Sequence, residues 1–136
     1  MGRRLILDTC VLIAFERGRL KPGDFITPGD DVALASITLT ELRAGALLAD
    51  ESRRPVRDAA VARAAATFDL LPYTDSVSLK HAELLVWTRR NGSPRGAFDL
   101  ITAATAAATG RTLVTTDNAA AFAELPGVAA AAPREL

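Results

Sequence analysis

Cysteine and histidine are almost missing from this 136-residue chain, which holds one of each. A lone Cys10 excludes an internal disulfide and any multi-cysteine zinc site. A lone His81 excludes acid–base catalysis by a histidine pair, and its Lys80-His81-Ala82-Glu83 setting reads as the surface or boundary of a helix. Aromatic residues are only 5% of the chain, so stacking surface is scarce. Net charge is zero, with 16 basic and 16 acidic residues, so the chain as a whole carries no electrostatic footprint for a polyanion. Neither a Rossmann fingerprint nor a Walker A loop is present. No apolar run approaches the ~20 residues that cross a bilayer. The Leu5–Leu7 apolar run is too short for a signal peptide before Asp8 interrupts it, so the expected location is cytoplasmic, without membrane contact.

What the chain does have is hydrophobic residues, 49% in all, enough for one core. No repeat or long linker divides it, so residues 1–136 are expected to form a single domain. Arg4 to Leu7 reads as a buried strand, followed by a short helix from about Val11 to Arg17 and a Pro/Gly-marked loop over Leu20 to Asp31. Val32 to Ala35 is the second predicted strand, and Thr38 opens a helix to about Asp50. An Ala-rich helix runs from Pro55 to about Phe68, and Leu70 to Tyr73 is a third strand. Thr74 or Asp75 caps a helix to about Asn91, with Gly92 behind it. The turn Ser93-Pro94-Arg95-Gly96 leads into a helix over Ala97 to Thr109, stopped by Gly110. Thr112 to Thr115 is a strand, Asn118 to Leu125 a helix, and Val128 to Ala131 a last strand. Short apolar strands alternating with helices predict an α/β fold, three layers α/β/α around a mainly parallel central sheet. Sites in such folds form beyond the carboxyl ends of the strands.

Four acids fall at or near that edge. Asp8 follows the first strand, Glu41 lies in the expected first turn of the next helix, and Asp117 follows the Thr112–Thr115 strand. Asp99 follows a turn, yet it too occupies a first helical turn. Each has an ordinary structural role open to it: Asp8 and Asp117 as caps, Thr38 and Glu41 as a capping box, and Asp99 as a favourable charge on a helix dipole. Together, carboxylates converging on one edge repel one another and call for a cation. Hard oxygen donors suit Mg²⁺ or Mn²⁺, which keep waters and open positions for a phosphate oxygen and an attacking water.

Four segments carry a family resemblance. They are Leu7-Asp8-Thr9-Cys10-Val11-Leu12-Ile13; Ser36-Ile37-Thr38-Leu39-Thr40-Glu41-Leu42 with Gly45 behind; Phe98-Asp99-Leu100-Ile101-Thr102-Ala103-Ala104 with Pro94 upstream; and Leu113-Val114-Thr115-Thr116-Asp117, then Phe122 and Leu125-Pro126-Gly127-Val128. In this order and spacing they resemble the PIN-domain family over nearly the full length, and most closely its bacterial VapC-type toxins. The resemblance implies a Mg²⁺-dependent endoribonuclease, the toxin of a type II toxin–antitoxin system, with RNA as substrate, a VapB-type antitoxin as partner, and a homodimer. By position, Asp8, Glu41 and Asp99 carry over as the acidic core and Asp117 as the fourth acid. Asp8 and Asp99 would hold the metal, with Glu41 and Asp117 completing the site directly or through water. Thr9 and Thr115 or Thr116 would support them, with Asn118 behind. The implied mechanism needs no protein base.

Other phosphate chemistries fail on spacing. A tyrosine-phosphatase loop needs Cys and Arg with five residues between, whereas residue 16 is Glu and Arg17 falls one place late. A haloacid-dehalogenase phosphatase needs a second Asp two residues after Asp8, where Cys10 stands. The remaining alternative is a non-catalytic PIN-fold module acting in binding or scaffolding. Leu84, Leu85 and Trp87 read as core or interface residues of one helix. Arg17, Arg43 and Arg95, near the motifs, read as solvated surface or as contacts to RNA phosphates.

Overall fold

A computed structural model describes residues 2–136. Its strands are β1 (Arg4–Leu7), β2 (Asp31–Ala35), β3 (Asp69–Leu71), β4 (Thr112–Val114) and β5 (Ala129–Ala131). Its α-helices are α1 (Thr9–Glu16), α2 (Ser36–Leu48), α3 (Arg54–Thr67), α4 (Asp75–Arg90), α5 (Ala97–Thr109) and α6 (Ala119–Ala123). The strands form one sheet in the order β3-β2-β1-β4-β5, and every pairing is parallel.

The alternation of a strand explains the layers. Leu5 and Leu7 join the core against α1 and α3, whereas Ile6 between them joins the core against α4, α5 and α6. All three are fully buried, as expected for a parallel strand covered on both faces. In β4, Leu113 and Val114 divide between the same two cores. Helix α2 packs against α1, α3 and α5, and its Ile37 and Leu42 join opposite cores, so it bridges the layers. Of the α4 residues singled out, Leu84 is buried in the core, Trp87 packs against it, and Leu85 is exposed.

From β1 the chain moves outward to β2 and β3, then returns to place β4 on the other side of β1. That reversal opens a crevice at the carboxyl ends of β1 and β4. Leu7 pairs with Val114 in register, so Asp8 and Thr115 emerge side by side, and the Asp8 N–H donates to the Val114 carbonyl at 2.9 Å.

The start of α2 differs from the sequence expectation. The helix begins at Ser36, directly after β2, and Thr38 is a fully buried residue rather than a cap. The cause is tertiary: the Ser36 hydroxyl donates to the Leu71 carbonyl at the end of β3, at 2.9 Å, which anchors the helix entry to the sheet. Glu41 therefore sits in the second turn, and the Thr38–Glu41 capping box does not form. Helix α5 spans the expected residues and ends at Gly110, whose φ of 64° is the left-handed geometry that glycine adopts without steric cost.

Candidate active site

Asp8 is the centre of the site. Its Oδ1 accepts the Thr9 N–H at 2.8 Å, so it does cap α1. Its Oδ2 accepts the Thr115 hydroxyl at 3.0 Å and lies 3.6 Å from the Cys10 thiol. Thr115, fully buried, also accepts the Asp117 N–H at 3.1 Å. A hydroxyl has one proton, and a carboxylate is its stronger acceptor. Thr115 thus gives its proton to Asp8 and its lone pair to the Asp117 backbone, tying two acids that are 109 positions apart in sequence (117 − 8). Thr9 does the same for the third acid, donating its hydroxyl to Glu41 Oε1 at 2.9 Å. A carboxylate offers about four acceptor positions, so Asp8 and Glu41 keep capacity for a cation.

Asp99 enters from the first turn of α5. A Cβ on Gly96 would stand 3.1 Å from Asp99 Oδ2, so glycine there leaves the carboxylate room. Glu41, Gly96, Ala97, Phe98 and Asp99 line an open cavity of about 380 Å³. The carboxyls of Glu41 and Asp99 both titrate above their ordinary values. For Glu41 burial is the main cause, offset by the Thr9 hydrogen bond and reinforced by the charges of Asp8 and Asp99. For Asp99, an exposed residue whose carboxyl is partly screened from water, that screening leads, followed by the charges of Asp8 and Asp117. All four predicted acids are therefore linked electrostatically in one group at the expected edge.

The donor set is hard oxygen, which fits Mg²⁺ or Mn²⁺ and not a closed zinc site. Among the described residues no three His, Cys, Asp or Glu side chains converge tightly enough to enclose an ion. Such a set fits a hydrated cation held by one or two carboxylates, with water between it and the rest.

Sequence reasoning did not find three features of the site. Cys10 lies within it: its sulfur is 3.3 Å from the Thr115 hydroxyl and accepts the Thr116 N–H at 3.4 Å. Gly96, beside Asp99 in a turn, carried a signal read only as turn chemistry. Arg95 is not solvated surface: its side chain is 15% exposed and bonded to Ser93, Ala121 and Glu124. Arg17 and Arg43 are exposed as expected. Asn118 serves as the cap of α6, its Oδ1 accepting the Ala121 N–H at 3.2 Å. His81 lies apart from the acids' hydrogen-bond network, its Nδ1 2.8 Å from the Tyr73 hydroxyl.

Comparison with known proteins agrees with this geometry. Ribonuclease VapC5 of Mycobacterium tuberculosis is 34% identical over 124 residues, covering 91% of this chain and 89% of that protein. The crystal structure of VapBC-5, a member of the VapBC family of toxin–antitoxin systems from the same organism, superposes with a TM-score of 0.77 at 31% identity, covering 96% of this chain and 98% of that one. VapBC2 of Rickettsia felis, bound to a promoter DNA fragment, shares the fold with a TM-score of 0.82 at 18% identity, covering 95% and 98%. The PIN domain family model matches residues 5–128, and the chain belongs to the PIN-domain family.

Proposed function

We propose that residues 1–136 act as one nuclease domain, a Mg²⁺-dependent endoribonuclease in which Mn²⁺ can substitute, and that the chain is the toxin of a VapBC-type toxin–antitoxin pair in the cytoplasm. The observation that carries this reading is the group of four acids around one crevice: Asp8 and Asp117 follow β1 and β4 and are tied by Thr115, Thr9 next to Asp8 holds Glu41, and Asp99 lines one cavity with Glu41. The name of the M. tuberculosis relative, a ribonuclease, supports RNA as substrate. Relatives of known structure described as VapBC toxin–antitoxin systems support a VapB-type antitoxin as partner.

A bound divalent ion would supply a water of lowered pKa and a Lewis acid for the phosphate oxygens. The chain's part is to hold negative charge in place for it. Thr115 and the Thr9 N–H fix the Asp8 carboxylate, and Thr9 orients Glu41. Gly96 keeps the Asp99 face open, so a scissile phosphate has an approach of about 380 Å³. His81 is bonded to Tyr73 and lies outside the acids' hydrogen-bond network, so this reading assigns it no part as a base.

A groove of about 310 Å³ between α1, α2 and α3 is lined mainly by apolar side chains, among them Leu12, Phe15, Leu42 and Phe68, with Glu41, Arg57 and Arg63 also in its wall. It suits an apolar segment of the antitoxin. Exposed Leu79 and Val86, both on α4, offer apolar surface for a second copy of the chain.

The test is RNA cleavage by purified, antitoxin-free protein with Mg²⁺ or Mn²⁺. Cleavage should stop in EDTA and fall by about 100-fold or more in Asp8→Asn, at least the loss seen when a metal site's supporting residue is removed. Equal cleavage in EDTA or by Asp8→Asn would remove metal-ion catalysis. RNA binding without any cleavage would favour a binding module of the same fold.

A further inference from the structure

Arg95 lies in the turn before α5, four residues ahead of Asp99, and reaches across to the helix that follows Asp117. Its Nη2 donates to the Ala121 carbonyl at 3.1 Å and to Glu124 Oε2 at 3.1 Å. Its Nη1 donates to Ser93 Oγ at 2.5 Å and to the Ser93 carbonyl at 3.2 Å. Both ends of the guanidinium fork are thus occupied, one on each segment.

What it holds needs holding. Helix α6 has five residues, too short to persist by its own hydrogen bonds. It starts from Asn118, a non-glycine residue at a φ of 51°, a backbone state that costs about 1 kcal/mol unless its surroundings enforce it. Ala121 lies in the last turn of α6, where carbonyls lack intrahelical partners, and a cation there also suits the helix dipole. Phe122 and the following Leu125 pack this segment into the core, and α6 lies along β5, which seats the helix on the sheet. The Arg95 tie adds a polar link from that segment to the turn before α5. Asp117 stands two residues before α6 and Asp99 in the first turn of α5, so the tie spans the two elements that present them.

From this geometry we infer that Arg95 is a positioning residue: it sets the separation of Asp99 and Asp117 and so the affinity of the acid group for a divalent cation. The inference rests on the reading of those acids as a metal site. Its role is internal, not a contact to RNA phosphates, because both Nη groups are engaged within the protein and Nε is buried.

The measurement is Mn²⁺ binding to the RNA-free protein, followed by loss of the free-ion EPR signal, with melting temperature in EDTA recorded alongside. Arg95→Ala should raise the Mn²⁺ concentration at half-saturation about tenfold, and millimolar guanidinium should reverse most of it. Arg95→Lys should recover only part, because one ammonium cannot span both segments as the fork does. Glu124→Gln, at a largely exposed position that the fold tolerates, should weaken binding about two- to threefold, the effect of one surface ion pair. Wild-type affinity in Arg95→Ala, with or without a lower melting temperature, would overturn the proposal. Should Arg95→Ala fail to fold, wild-type affinity in Glu124→Gln overturns it and weakened affinity supports it. A salt dependence of RNA binding reduced by about one in Arg95→Ala would make the residue a phosphate contact instead. No Mn²⁺ binding by the wild-type protein would sink the metal reading itself, an outcome distinct from the others.

Discussion

Glu41 and Asp99 carry charge where burial and neighbouring acids oppose it. Their folded-state pKa values lie above those of the unfolded chain, so in the window between the two the folded protein holds more protons. Stability therefore falls as pH rises through that window, and the cost vanishes below the ordinary carboxylate range. Asp99→Asn in EDTA should raise the melting temperature at pH 8 by about 2 °C, an exposed-site magnitude. The gain should shrink as pH falls to about 4. Calorimetry over a pH series checks this, and a constant difference would mean that the charge of Asp99 is not felt. Asp30 works in the opposite sense: Arg3 holds its carboxyl far below the usual range, so its contribution is complete above the ordinary carboxylate pKa and is lost progressively as pH falls below it. Thr115→Val keeps the shape but strands the Asp117 N–H and one Asp8 oxygen, costing about 1–3 kcal/mol in urea unfolding. Asp8, Asp99 and Asp117 were legible as residues because each stands beside a strand end or helix start, and Glu41 because its segment placed it near one. Arg95 was not, because its partners on α6 lie 26 and 29 positions away and leave no local mark.

At the scale of elements, local chemistry was legible wherever local chemistry decides. The bounds of α5 follow from Pro94 and Gly96 before it and Gly110 after it, and Thr74 caps α4 as its hydroxyl predicts, accepting the Val77 N–H at 3.3 Å. Gly110→Ala forces a Cβ into left-handed backbone, so it should cost about 1 kcal/mol and lower the melting temperature by about 4 °C. Where contacts from afar decide, the pattern misleads: Thr38 resembles a cap, but Ser36 is tied to β3 and the helix starts earlier. That early start places Glu41 one turn deeper, within reach of the Thr9 hydroxyl.

Across the whole molecule, the acids occupy one end of the sheet and a buried arginine the other. Arg111 donates to the Leu5 carbonyl at 3.2 Å and to Asp31 at 3.0 Å, joining the starts of β1 and β2 to the entry of β4. Arg111→Ala should lower the melting temperature by about 5 °C yet leave Mn²⁺ half-saturation within about twofold, since additivity holds for distant sites. A parallel loss of metal affinity would show that the two ends are coupled. The placement of the site followed from topology alone: short strands alternating with helices implied a parallel sheet, and the sheet implied its carboxyl edge. Which side chains would bond there did not follow, since strand order is not written locally. The pairing of β1 with β4 also has a consequence in time. Thr115 is added 107 positions after the Asp8 that it bonds. In a growing polypeptide the Asp8 carboxylate therefore lacks that hydrogen bond until β4 and the residue after it have been made.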